Sequence, residues 1–158
     1  MILLVMGVAG AGKTTIASEI AKKRGWTFLD ADDFHSAANR EKMRQGIHLT
    51  DEDRIPWLDA IHAELERLFR QGKDVVLACS ALSEAYRQRL SGALSVKIVF
   101  LKGARELIRG RLQARHGHFA GAAILEDQFA KLEEPKNAIV VDVKDPPDRI
   151  VEEVLSQI

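Results

Sequence analysis

Gly7-Val8-Ala9-Gly10-Ala11-Gly12-Lys13-Thr14-Thr15 spaces glycines, a lysine and hydroxyl side chains in the pattern G-x-x-x-x-G-K-[ST], directly after the apolar run Ile2 to Met6. Each residue type has a physical task there. The glycines let successive backbone N–H groups turn inward around phosphate oxygens, and the helix that follows points its positive end at the same oxygens. Lys13 reaches the outer phosphates, and the Thr14 hydroxyl is placed to hold Mg²⁺. The whole loop, Gly7 to Thr15, is therefore read as the binding site of ATP or a related nucleotide, with Lys13 also acting on the transferring group.

Four further clusters could serve that nucleotide. Leu29-Asp30-Ala31-Asp32-Asp33-Phe34-His35 follows a strand pattern, and alternation puts Asp30 and Asp32 on one side if the strand persists that far. Asp30 is then the acidic partner of Mg²⁺, through water, and Asp32 accepts a proton from a substrate hydroxyl. Asp33 is read as the cap of a helix beginning near Phe34. Cys79-Ser80-Ala81-Leu82 ends another strand with no acidic residue, so Ser80 takes part of the metal-organising role. Arg87 is either a bidentate clamp for an anionic second substrate or a solvated helical arginine. Arg111 and Arg115, one helical turn apart before Gly117-His118-Phe119-Ala120-Gly121, are expected on a closing lid, where an arginine stabilises charge on the moving phosphoryl group. Arg105 and Arg109 read as solvated surface residues. His116 and His118 lack the further ligands a zinc site needs.

These residues need a scaffold that brings strand ends together. Apolar runs at Ile2–Met6, Thr27–Leu29, Val75–Cys79, Val96–Leu101 and Ala138–Val141 alternate with helical patterns, which predicts a three-layer α/β/α fold around a five-stranded parallel sheet. The first helix should run from about Gly12 to Arg24 and stop at Gly25. Thr50 and Asp53 form a capping-box pattern ahead of Trp57, Leu58, Ile61, Leu65, Leu68 and Phe69, whose spacing predicts a core helix ending before Gly72. Ile150, Val151, Val154, Leu155 and Ile158 mark a closing amphipathic helix. In such a sheet, ligands bind at the carboxyl ends of the strands, where all the clusters above fall.

The chain has 158 residues, enough for one domain, and its 23 basic and 23 acidic side chains balance. Nothing predicts a general hold on nucleic acid or a membrane surface. The single cysteine, Cys79, lies in an apolar run and reads as an inert buried thiol of a reducing compartment, so a soluble cytoplasmic protein is expected.

The phosphate loop, Asp30-Ala31-Asp32-Asp33-Phe34-His35, Asn39 to Met43, Leu49 to Trp57, Cys79-Ser80-Ala81-Leu82 with Tyr86-Arg87, Gly117-His118-Phe119, Gln128-Phe129 and Leu132-Glu133-Glu134-Pro135 together resemble the gluconokinase family. The likeness spans nearly the whole chain. It implies a nucleoside-monophosphate-kinase-like fold, transfer of the ATP γ-phosphoryl group to the 6-hydroxyl of D-gluconate, dependence on Mg²⁺ and a homodimer. By the same resemblance Asp32 orients and deprotonates the hydroxyl, while His35, Lys42, Arg54, Arg87 and His118 are candidates to hold the sugar acid. A helical substrate-binding insertion is expected at about 34–72 and a short lid at about 115–123. The adenine pocket is expected around Arg111 and Asp142 to Pro146.

Shikimate kinase and adenylylsulfate kinase are rival readings, since both combine a phosphate loop with acidic residues after the second strand. A GTPase is disfavoured by the absence of N-K-x-D and D-x-x-G, and a dinucleotide-binding dehydrogenase by the absence of G-x-G-x-x-G. A non-catalytic ATP-binding module remains a reading from another class.

Overall fold

The computed structural model describes residues 1–116 and 122–158, with side chains described through Ala114 and again from Ile124. Five strands, β1 (Ile2–Met6), β2 (Thr27–Asp30), β3 (Val75–Ala78), β4 (Val96–Lys102) and β5 (Ile139–Asp142), form one parallel sheet in the order β2-β3-β1-β4-β5. The helices are α1 (Lys13–Arg24), α2 (Ala37–Arg44), α3 (Asp51–Arg70), α4 (Glu84–Ser91), α5 (Arg105–His116), α6 (Ala122–Lys131) and α7 (Pro147–Leu155). The predicted strands are all present, with ends displaced by about one residue.

Alternation along β1 separates two cores. Leu3 and Val5 pack with Ile16 and Ile20 of α1 and with Ile150, Val151 and Val154 of α7. Ile2, Leu4 and Met6 pack on the other face with Trp57, Leu58, Ile61 and Leu65 of α3 and Leu90 of α4. Both faces of the sheet are thus covered, which is why the strands read as continuous apolar runs. The winding reverses at β1, with β3 on one side in register Ile2 to Val75 and β4 on the other in register Ile2 to Val96. The crevice this reversal opens lies at the carboxyl end of β1, beside the phosphate loop.

Helix signals behave as their chemistry requires. Gly12 precedes α1 at φ 97° and Gly25 ends it at φ 68°, both left-handed conformations that a glycine adopts without steric cost. Thr50 and Asp53 form the reciprocal capping box of α3, whose buried stripe is Trp57, Leu58, Ile61, Leu65 and Leu68; Phe69, expected with them, is one position past Leu68 on the helix and stands exposed. The expectation at Asp33 is corrected: β2 stops at Asp30, whose carboxylate accepts from the Asp32 N–H and opens a 3₁₀ turn over Ala31–Phe34, and α2 is capped instead by Ser36. Strand alternation therefore does not govern Asp30 and Asp32. A side chain that folds back onto the backbone two residues later ends the strand.

Candidate active site

Backbone geometry shapes the loop first. Gly10 sits at φ 81°, and a Cβ built there would lie 2.7 Å from Leu112 Cγ of α5, so only glycine lets the loop pass under that helix. Lys13 Nζ donates to the Val8 carbonyl at 3.0 Å, folding the side chain back over the loop. Burial holds its ammonium below the ordinary lysine value, opposed by the Asp32 and Asp30 carboxylates. A charge desolvated in this way gains strongly from a phosphate oxygen.

The end of β2 supplies the acidic edge. Thr14 Oγ1 donates to Asp30 Oδ2 at 3.2 Å, while Asp30 Oδ1 holds the Asp32 N–H at 3.0 Å. One carboxylate thus positions both the hydroxyl of the loop and the turn that carries Asp32. Arg40 of α2 donates to the carbonyls of His35 and Asp32 at 3.3 and 3.1 Å and braces the same turn. The Asp32 carboxylate itself has no hydrogen-bond partner among the described residues, so it is free to receive a ligand's proton.

Three clefts meet here. One of about 300 Å³ is lined by Gly10, Gly12, Lys13, Thr14, Asp30 and Asp32 among others. A second, of about 420 Å³, lies on the far side of the loop against Ile16, Arg111, Leu112, Val143, Asp145 and Ile150. Apolar walls with a nearby guanidinium suit a flat heterocycle and its ribose. The third, about 840 Å³, opens between the β2 turn, α3, α4 and α6, and its walls include Asp32, His35, Arg54, Trp57 and Tyr86. Asp32, Ser80 and Gln128 are the residues, among those described, that line both the first and the third.

The large cleft has ordered polar walls. Trp57 Nε1 donates to the Ala31 carbonyl at 2.7 Å, and the His35 ring stacks on Trp57 with centroids 4.4 Å apart. His35 Nδ1 is buried without a partner among the described residues, and withdrawal from water pushes the imidazole below its ordinary value. Arg54 Nη1 donates to Tyr86 Oη at 3.1 Å, and that hydroxyl donates in turn to Asp51. Arg54 also lies over the Tyr86 ring at 5.6 Å, so stacking and hydrogen bonding fix its guanidinium at the cleft wall.

The structure thus brings Lys13, Thr14, Asp30, Asp32 and Ser80 to one edge, with His35 and Arg54 in the adjoining cleft. Two expected substrate ligands stand elsewhere. Lys42 Nζ is held by both oxygens of Asp53 at 2.9 and 3.1 Å, and it does not line the large cleft. Arg87 is buried, at 4 % exposure, with its guanidinium donating to the carbonyls of Ala81, Leu82 and Glu133 and to Glu84. Neither a clamp on substrate nor a solvated arginine describes it; the fork is consumed by three backbone carbonyls and Glu84. Arg105 and Arg109, read as solvated, both pair with Glu126 and tie α5 to α6. Arg111 faces the apolar cleft. The expectations at His118 and in the glycine-bounded loop, and for the side chain of Arg115, lie outside the described residues.

Tyr86, Trp57, Asp51 and Gln128 were absent from the chemical reading of the sequence. The first two carried a signal, an aromatic within the quoted motifs, but nothing local separates a cleft-lining aromatic from a core one. Among the described residues no group of three or more His, Cys, Asp or Glu could hold a metal ion. The oxygen pair Thr14 and Asp30 nevertheless suits Mg²⁺, which takes few protein ligands and completes its shell with phosphate and water.

A phosphate loop on a parallel sheet, an acidic edge beside it and a second polar cleft sharing that edge define a phosphate-loop kinase. Comparison with known proteins narrows this. The family model described as an AAA domain matches residues 2–135. The gluconokinase of Arabidopsis thaliana is 41% identical over 173 aligned positions, covering 99% of this chain and 92% of that protein. The gluconokinase of Gluconobacter oxydans is 42% identical, with 97% and 88% covered. A solved gluconokinase from Sinorhizobium meliloti superposes with a TM-score of 0.87 at 39% identity, covering 98% of this chain and 89% of that one. The chain belongs to the gluconokinase family.

Proposed function

We propose that this chain transfers the γ-phosphoryl group of ATP to the 6-hydroxyl of D-gluconate, giving 6-phosphogluconate and ADP. The observation that carries the reading is that Asp32 lies on the boundary shared by the phosphate-loop cleft and the large polar cleft, in a chain of this family. A hydroxyl in the large cleft and a phosphoryl group on the loop would meet at that carboxylate.

In this reading the loop amides from Ala9 to Thr15 hold the phosphates, Lys13 neutralises charge between the outer two, and the base and ribose lie beside Arg111 in the apolar cleft. Thr14 and, through water, Asp30 would hold Mg²⁺, which supplies charge neutralisation on the outer phosphates. Asp32 orients the acceptor hydroxyl and takes its proton as the bond to phosphorus forms. A carboxylate suffices because the transition state is loose and positioning counts for more than early proton removal. Arg54 receives the gluconate carboxylate, and His35, neutral and stacked on Trp57, lines the cleft beside the sugar hydroxyls. Lys42 and Arg87 support the walls without touching substrate.

ADP release with Mg²⁺-ATP, measured against D-gluconate, shikimate, adenylylsulfate, glucose and no acceptor, tests the reading. Selective turnover of gluconate with a 6-phosphorylated product supports it. ATP binding without stimulation by any acceptor would return the chain to the non-catalytic class.

A further inference from the structure

Gln128 of α6 reaches across 119 positions of chain to accept the Ala9 N–H with Oε1 at 2.7 Å. Only the amide oxygen can accept from a backbone N–H, so this contact fixes which way the carboxamide faces. Its Nε2 is left over from that contact and donates to no acceptor among the described residues. Gln128 also shares with Asp32 and Ser80 the boundary between the phosphate-loop cleft and the acceptor cleft. Ala9 stands in the phosphate loop four residues before Lys13 and lines the same cleft.

The helix that carries Gln128 is fixed from several sides. Leu125 is fully buried, Glu126 pairs with Arg105 and Arg109, and Arg105 lies 5.1 Å over the Phe129 ring. Beyond α6 the Glu133 N–H donates to the Leu82 carbonyl at 2.8 Å, joining the segment to the loop that bears Ser80. A donor held this way needs little reorganisation when charge develops in front of it, which is the condition under which a single hydrogen bond contributes most to a transition state.

We infer that Gln128 is a catalytic residue that donates from Nε2 to an oxygen of the terminal phosphoryl group, with its Oε1 pinned by Ala9, and so aligns that group with the acceptor hydroxyl. The inference rests on the kinase reading of the two clefts. It gives α6 a direct part in transfer and makes the contact specific for a nucleotide that carries a γ-phosphate.

Two variants separate donation from mere pinning of the loop. Gln128→Glu keeps an acceptor for the Ala9 N–H but loses the donor and adds an anion; Gln128→Met loses both without adding charge. Calorimetry with ADP and with β,γ-imido-ATP, both with Mg²⁺, reads the γ-dependent part of binding, and kcat with gluconate reads transfer. The expected result is that each variant binds ADP within about 2-fold of the parent. Each should weaken β,γ-imido-ATP by about 10-fold, and kcat should fall by about 10²-fold, as for loss of one preorganised donor. If the ratio of the two affinities is unchanged in both variants, or if Gln128→Glu keeps parental kcat while Gln128→Met alone is impaired, the glutamine only pins the loop and the inference is overturned. Failure of the parent itself to bind either nucleotide would instead overturn the kinase reading.

Discussion

Arg87 Nη2 of α4 donates to the Glu133 carbonyl at 2.8 Å, while Nη1 of the same guanidinium holds the carbonyls of Ala81 and Leu82 at 2.8 and 3.1 Å. One buried side chain thus joins the loop after β3 to the segment leaving α6, the two pieces of chain that bring Ser80 and Gln128 to the same boundary. Ala81 adopts φ 43° beside it, an uncommon conformation for a residue with a Cβ that these contacts hold in place. Arg87→Met would leave the carbonyls of Ala81 and Glu133 without their donor, while Leu82 keeps the Glu133 N–H, and should cost about 2–4 kcal/mol of stability. Urea unfolding measures this. A raised KM for gluconate with unchanged stability would restore the clamp.

Asp32→Asn keeps the size of the side chain and the backbone contacts of the turn but removes the proton acceptor. Its kcat should fall by about 10²-fold or more, with ATP affinity little changed. Parental turnover with a raised KM for gluconate would reduce Asp32 to a binding group.

Gly10→Ala places a methyl 2.7 Å from Leu112 Cγ at φ 81°. The left-handed backbone alone costs about 1–2 kcal/mol, and relief by moving α5 would open the loop. Affinity for ATP should drop by about 10-fold, while unfolding remains a single cooperative transition. Undiminished affinity in calorimetry would show that the loop binds phosphate without this close approach.

Acid should destabilise the protein partly through His35. Burial lowers its folded value below the ordinary 6.5, aided by Arg40 and Arg54 and opposed by Asp32. Above 6.5 the ring is neutral in both states and contributes no pH dependence. As pH falls below 6.5 the unfolded chain takes up a proton that the folded chain does not, so stability declines until the lowered folded value is passed. His35→Phe preserves the stack on Trp57 and should flatten this part of the profile. Equal urea midpoints for parent and variant at each pH from 8 to 5, taken as differences from pH 8, would exclude His35 as a source.

Burial pushes the Cys79 thiol up to about 12, so it carries almost no thiolate near neutral pH. The folded protein should resist iodoacetamide at pH 8 and react readily in urea, as mass spectrometry of the alkylated chain would show. Rapid alkylation of the folded protein would mean that the end of β3 opens.

Much of the site was legible in the sequence because its chemistry is local. Gly7 to Thr15 carries its own turn, amides, lysine and hydroxyl, and the strand before it and helix after it follow from apolar periodicity and from Gly25. Asp30 and Asp32 could be placed at the same edge because strand ends converge in any parallel sheet of this kind. The alternation used to orient them failed because the Asp30 carboxylate captures the Asp32 N–H and ends the strand.

The phosphate-binding loop, the parallel α/β architecture and the sheet edge that carries the candidate site follow from local sequence, since each depends on residues within a turn or two of one another. Tertiary structure alone decided that Arg87 serves backbone carbonyls, that Lys42 serves Asp53, that Tyr86 fixes Arg54, and that Gln128 reaches Ala9. A charged or amide side chain carries no local mark of its partner. Its role is set by whichever donor or acceptor the packing of distant segments brings within about 3 Å.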